Sequence, residues 1–294
     1  MNKSLFFLVF IATTLSIQAQ NVASTANITS GGLQAGSGGT GNTFYGYNSG
    51  NDTTGNYNTF IGNNSGVGNM SGTNNTYLGS STGNVSNGSN NTYLGSGSGA
   101  LNDGNNNIFI GVMTGFDSYE SSNNIFIGNH CAEAIDEFHN ELWIENSGTD
   151  KPLIWGDFAD DKLKFNGKVG IGYAFGDFPT TAGTVNVSGY NLFVNGGILT
   201  EEVRVMLKTQ WADYVFADNY NLKSLKEVEQ FIKQNGHLPN VPSAAQVEEN
   251  GIEVGEIITI QQEKIEELTL HLINQQKELE ELKAQVNLLL KAQN

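Results

Sequence analysis

The chain has 294 residues, 30 Asp and Glu against 14 Lys and Arg, and a formal net charge of -16. Between Lys3 and Lys151 there is no Lys or Arg at all, which excludes binding to a phosphate backbone in that region and disfavours an anionic membrane surface. Cys131 is the only cysteine, so no intrachain disulfide exists, and a mature length of ~275 residues allows one to three domains.

Met1 to Ala19 reads as a signal peptide: Lys3 is the positive end, Leu5 to Leu15 the apolar core, and Ile17-Gln18-Ala19 the cleavage site. The apolar run is too short to span a bilayer, and no Cys follows it for lipid attachment. The expected product is exported, secreted or held at the cell surface, begins near Gln20, and has no later membrane-spanning segment. Residues 20–40 are expected to be a flexible start or a degenerate first coil.

From 41 to 140 one phrase recurs six times: Asn42-Thr-Phe-Tyr-Gly46, Asn58-Thr-Phe-Ile-Gly62, Asn75-Thr-Tyr-Leu-Gly79, Asn91-Thr-Tyr-Leu-Gly95, Asn107-Ile-Phe-Ile-Gly111 and Asn124-Ile-Phe-Ile-Gly128. A repeat of ~16 residues is the signature of a solenoid head, one coil per copy. Each coil has room for two strands of about five residues and two turns, and none for a helix. Stacking places equivalent residues about 4.8 Å apart. Successive strand residues point to opposite faces. If Phe44, Phe60, Tyr77, Tyr93, Phe109 and Phe126 fill the core, then Tyr45, Ile61, Leu78, Leu94, Ile110 and Ile127 face outward as an apolar stripe. Soluble monomers rarely expose such a stripe, so it is expected to contact other copies of the chain.

The phrase Asn-x-(Phe/Tyr)-(Ile/Leu)-Gly-x-x-(Ser/Thr) resembles the head repeats of trimeric autotransporter adhesins. That resemblance covers about residues 41–132 and implies a parallel β-roll wound by three chains. The period here is longer than in those repeats. The asparagines Asn58, Asn75, Asn91, Asn107 and Asn124 are expected to form a ladder on the outside of the roll, able to hydrogen-bond a glycan or another surface polymer; the alternative is that they cap turns and bond to one another. Thr43, Thr59, Thr76 and Thr92 stack at the same spacing, which raises an ice-binding alternative that Ile108 and Ile125 interrupt.

The sixth copy departs into His130-Cys131-Ala132. Residues 132–138 are read as a cap on the open end of the roll. A metal site from His130, Cys131, Asp136 and His139 is the sharper alternative, and its spacing matches no zinc pattern. Residues 141–205 carry short alternating strands and read as a β-rich neck, with Trp143 and Trp155 expected to pack between chains; the alternative is that they stack a sugar.

Residues 206–256 read as a small α-containing assembly domain. Its helix is expected over Leu222 to Gln234, stopped by Gly236 and followed by the rigid turn His237 to Pro242. Residues 257–294 carry heptads. Position a holds Ile258, Ile265, Leu272, Leu279 and Val286; position d holds Gln261, Leu268, Gln275, Leu282 and Leu289. They predict a coiled coil of roughly 45–50 Å, with the two glutamines fixing register and chain number. The alternative is a single amphipathic helix lying on its own domain.

The stretch from Trp211-Ala-Asp-Tyr-Val-Phe216 through His237-Leu-Pro239 to Leu270 resembles the C-terminal domain of tail-fibre-like bacterial proteins, related to the intramolecular chaperone of endosialidase tailspikes. The resemblance implies trimer assembly. Self-cleavage in that family uses a Ser-Asp-x-x-x-Lys pattern, and this chain has no Ser-Asp dipeptide. A self-processing chaperone is therefore the disfavoured alternative. No other catalytic, cofactor-binding or metal-binding constellation stands out. The sequence as a whole reads as a mainly β, non-enzymatic, homotrimeric fibre with a C-terminal α segment, adhesin-like or tail-fibre-like.

Overall fold

The computed structural model describes residues 22–24, 27–134, 137–172, 177–207 and 211–292. The expected signal peptide and Asp136 lie outside them. The chain divides into two compact units, Met1–Gly167 and Lys168–Asn294, so the strands expected as one neck are shared between them.

The first unit is a parallel β-solenoid of about seven coils among the described residues. Its sheet has eleven strands in chain order: β1 (Val22–Ser24), β2 (Ile28–Gly31), β3 (Asn42–Tyr45), β4 (Thr59–Ile61), β5 (Thr76–Leu78), β6 (Thr92–Leu94), β7 (Ile108–Ile110), β8 (Ile125–Ile127), β9 (Glu141–Ile144), β10 (Ile154–Asp157) and β11 (Lys162–Phe165). Strands β2 to β9 are parallel, with each residue opposite its counterpart in the next coil, as in Phe60↔Tyr77↔Tyr93. β1 adds antiparallel at one edge, and β9, β10 and β11 form an antiparallel meander at the other.

Each coil contributes one strand of three or four residues, where two of about five were expected. The remainder turns because left-handed residues recur too closely for a second strand. In one coil these are Gly62, Asn64, Gly66, Gly68 and Asn74, with φ of 138°, 54°, 64°, 78° and 60°. Glycine is required where coils touch. A Cβ at Gly79 would lie 2.6 Å from the carbonyl oxygen of Gly95 in the next coil, and one at Gly66 would enter the ring of Phe60.

The core is a column of fully buried rings. Phe60, Tyr77, Tyr93, Phe109 and Phe126 stack with centroids 4.6, 4.8, 4.9 and 4.8 Å apart, the spacing that strand pairing imposes. Phe138 and Trp143 meet the last ring edge-on, at 5.5 and 6.1 Å. Trp143 is buried in this cluster and Trp155, half-buried, packs against it. Both indole N–H groups donate to Glu141 Oε2, at 2.5 and 3.0 Å.

The second unit has a parallel pair, β12 (Val169–Ile171) with β15 (Leu192–Val194), and a hairpin of β13 (Thr181–Ala182) and β14 (Val185–Asn186). A 3-10 helix, Ala212–Phe216, buries Ala212 and Val215. Three α-helices follow: α1 (Leu225–Asn235), α2 (Ala244–Asn250) and α3 (Val254–Ala292). α1 starts three residues later than the apolar pattern predicts, because Ser224 and Glu227 close a capping box that fixes its first turn. Gly236 ends it at φ 78°, as a left-handed stop.

Candidate functional site

The repeat phrase splits across the sheet. Asn and the aromatic ring point inward; Thr or Ile and the following apolar residue point outward. The asparagines expected on the surface are therefore interior. Asn42, Asn58, Asn75, Asn91, Asn107 and Asn124 are buried, each Oδ1 accepting from the backbone N–H one coil on: Asn58 on Asn42 at 2.7 Å, Asn75 on Asn58 at 3.0 Å, Asn91 on Asn75 at 2.8 Å, Asn107 on Asn91 at 2.9 Å, Asn124 on Asn107 at 3.0 Å. Each Nδ2 donates to a turn carbonyl, such as Gly72, Gly88 or Gly104. Glu141 ends the ladder, its N–H on Asn124 Oδ1 at 2.9 Å. The physical reason for the correction is that a buried amide satisfies donors and acceptors that water cannot reach.

A second inner column holds Ser49, Ser65, Thr82, Ser98 and Thr114, whose hydroxyls donate to carbonyls of the next coil. Cys131 stands sixth in this column, buried, with Sγ 3.7 Å from the Trp143 carbonyl oxygen. Burial pushes its thiol up to about 11. His130 is held at the surface by Glu133 at 2.6 Å, and His139 Nδ1 accepts from the Ser122 N–H at 3.3 Å. Among the described residues no group of three or more His, Cys, Asp or Glu is placed to hold a metal ion.

The exposed asparagine ladder lies one residue earlier: Asn74, Asn90, Asn106 and Asn123, continued by half-buried Asn140, all left-handed with φ of 60° to 63°. Asn74 Nδ2 donates to Asn90 Oδ1 at 3.3 Å and Asn106 Nδ2 to Asn123 Oδ1 at 3.0 Å. The Asn-Asn dipeptides at 74–75, 90–91, 106–107 and 123–124 were the available signal. Asparagine tolerates the left-handed turn, so the first of each pair belongs to the turn and the second to the strand.

The outer face of the sheet carries a continuous apolar column. Tyr45, Ile61, Leu78, Leu94 and Ile110 are 36–45% exposed. Register carries this column on through Ile127, Ile144, Ile154 and Phe165, nine rungs and roughly 38 Å at strand spacing. Beside it run Thr43, Thr59, Thr76, Thr92, Ile108, Ile125 and Leu142.

In the second unit, α3 turns its polar side to its own domain. Glu263 and Glu266 are its buried residues. Tyr214 donates to Glu263, Tyr220 to Glu267 Oε1 at 2.5 Å, and Asn240 Nδ2 to Glu263 Oε1 at 3.1 Å. Lys264 bridges Glu263 and Glu267 at 2.7 Å each. Burial pushes the Glu263 carboxyl upward, but Lys264, Tyr214 and Asn240 together hold it below its usual value. The Tyr214 hydroxyl is pushed up to about 12, first by its bond to Glu263 and then by burial. The heptad positions Ile258, Ile265, Leu268, Leu272, Leu279, Leu282, Val286 and Leu289 are 44–65% exposed. Gln261 and Gln275 are exposed among them.

A parallel solenoid of short, similar coils is consistent with a fibre-like repeat protein, and this chain is a β-solenoid repeat protein with a long C-terminal helix. No family model and no curated protein matches it. No helix among the described residues is long and apolar enough to cross a membrane.

Proposed function

We propose that this chain is a secreted, non-enzymatic fibrous protein, adhesin-like or tail-fibre-like, that works as a homotrimer assembled by its C-terminal unit. The observation that carries this reading is the orientation of α3. A helix stabilised only by its own domain buries its apolar side; α3 instead buries Glu263 and Glu266 and leaves its a and d positions outward. A seam of that kind is covered when parallel copies pair as a coiled coil. The apolar outer face of the solenoid sheet supports the same reading, because a surface of that extent marks an interaction site. Contact with a glycan or another surface polymer falls to the exposed asparagines. The pattern over Met1 to Ala19 supports export.

Light scattering after size exclusion of the mature protein tests this. We expect three chain masses, each chain beginning near Gln20; one full-chain equivalent of 31.7 kDa or less overturns the trimer.

A further inference from the structure

Two features of the second unit are left largely uncovered by the described residues. The first is α1. Its Leu225, Val228, Phe231 and Ile232 fall on one side, yet none of its 11 residues is buried. Isolated helices shorter than about 12–15 residues are marginal in water, so a helix of this length draws its stability from packing. The second is a groove of about 660 Å³ walled by the β13–β14 hairpin and the residues after it, the loop after α1, α2 and the start of α3. Val185, Val187, Val241, Pro242, Ile257 and Ile260 supply its apolar walls. Glu253 and Glu256 line it, and no Lys or Arg does.

The two features are complementary in charge as well as in polarity. Lys223 lies over the Phe231 ring, Nζ 5.9 Å from the centroid, which sets a cation on the apolar side of α1, of opposite sign to the two carboxylates that line the groove. In its own chain α1 stands outside the groove, with Phe231 edge-on to the rim residue His237 at 5.6 Å and 83°.

We propose that α1 of one copy docks in the groove of a neighbouring copy, with Lys223 meeting Glu253 and Glu256. The inference rests on the homotrimer reading, since the α3 seam brings the copies together. The contact joins two different surfaces, so it is heterologous, and around a three-fold axis it closes into a ring in which every α1 and every groove is filled.

The test uses full chains carrying Cys131→Ser, so that no native thiol competes. One tagged chain also carries Val228→Cys and a second chain carries Val185→Cys; the two are co-expressed and oxidised. We expect a mixed disulfide joining tagged and untagged chains as the main oxidised product, and a several-fold lower yield with Lys223→Glu that Glu256→Lys in the partner chain restores. A second pair, Ile232→Cys with Val241→Cys, gives the same outcome if either first variant fails to fold. Three chain masses by light scattering without a mixed disulfide overturn this docking and leave the trimer standing. One chain mass overturns both. A single chain carrying both cysteines that oxidises internally at one chain mass overturns the docking in favour of the chain's own groove.

Discussion

Each asparagine of the inner ladder performs the same work in three directions. Asn91 donates its backbone N–H to Asn75, accepts the Asn107 N–H, and donates Nδ2 to the Gly104 carbonyl at 2.9 Å. Asn91→Leu keeps the bulk and strips the Asn107 N–H and the Gly104 carbonyl of these partners. Each buried group left unsatisfied costs about 1–3 kcal/mol, so the variant is expected to lose about 2–6 kcal/mol in urea unfolding; a loss below about 1 kcal/mol would show the ladder to be dispensable. The exposed ladder separates from it. Asn74, Asn90 and Asn106→Gly together keep the left-handed turns, which glycine adopts freely, and should leave the unfolding midpoint nearly unchanged while removing retention on a glycan array. An unchanged array signal would withdraw the binding role. The repeat phrase makes the column of rings and the outward stripe legible from the sequence. It does not show which asparagine of each pair is inside, because Asn serves a turn and a buried ladder equally well.

At the scale of elements, the packing of the 3-10 helix on α3 depends on protonation. The Tyr214 hydroxyl is pushed up from the ordinary 10 to about 12. A raised value means that its contribution to stability is complete below about pH 10 and is lost as pH rises toward 12. The Glu263 carboxyl is held low, so its contribution is present above the ordinary carboxylate range and is lost as pH falls through its lowered value. Wild type should therefore melt above Tyr214→Phe at pH 8, and the gap should close between about pH 10 and 12. A gap unchanged across that window would mean that the bond to Glu263 does not stabilise the unit. The heptads themselves are plain in the sequence. That α3 would offer Glu263 and Glu266 to its own domain is not, because it depends on Tyr214, Tyr220 and Asn240, which lie 23 to 49 residues away. The single short strand per coil was likewise hidden: apolar alternation marks one strand, and only the backbone shows how densely left-handed residues fill the rest.

The solenoid as a whole is a one-dimensional stack, each coil bonded to the coil before and the coil after. Asn91 and Asn107 are equivalent in register, so removal of residues 91–106 deletes one complete coil and brings Asn107 onto Asn75. That deletion should fold, with circular dichroism scaled to the shorter chain and a midpoint slightly below wild type. Removal of 91–98 alone should unfold the stack around the cut, because it sets turn glycines against strand residues. Equal tolerance of both deletions would contradict in-register stacking.

The inner ladder also bears on how the protein ages. An asparagine side chain deamidates when the backbone nitrogen of the next residue attacks its carbonyl carbon. In the stack that nitrogen is engaged: Thr59, Thr76, Thr92 and Ile108 each donate theirs to the neighbouring coil at 2.8 Å, and the amides they would attack are buried and bonded at both ends. Asn166 and Asn195, by contrast, are exposed and each is followed by glycine. Slow chemical wear in this asparagine-rich chain is thereby diverted from its buried ladder to asparagine–glycine pairs on turns and connections, among them half-buried Asn87 on a turn of the solenoid itself.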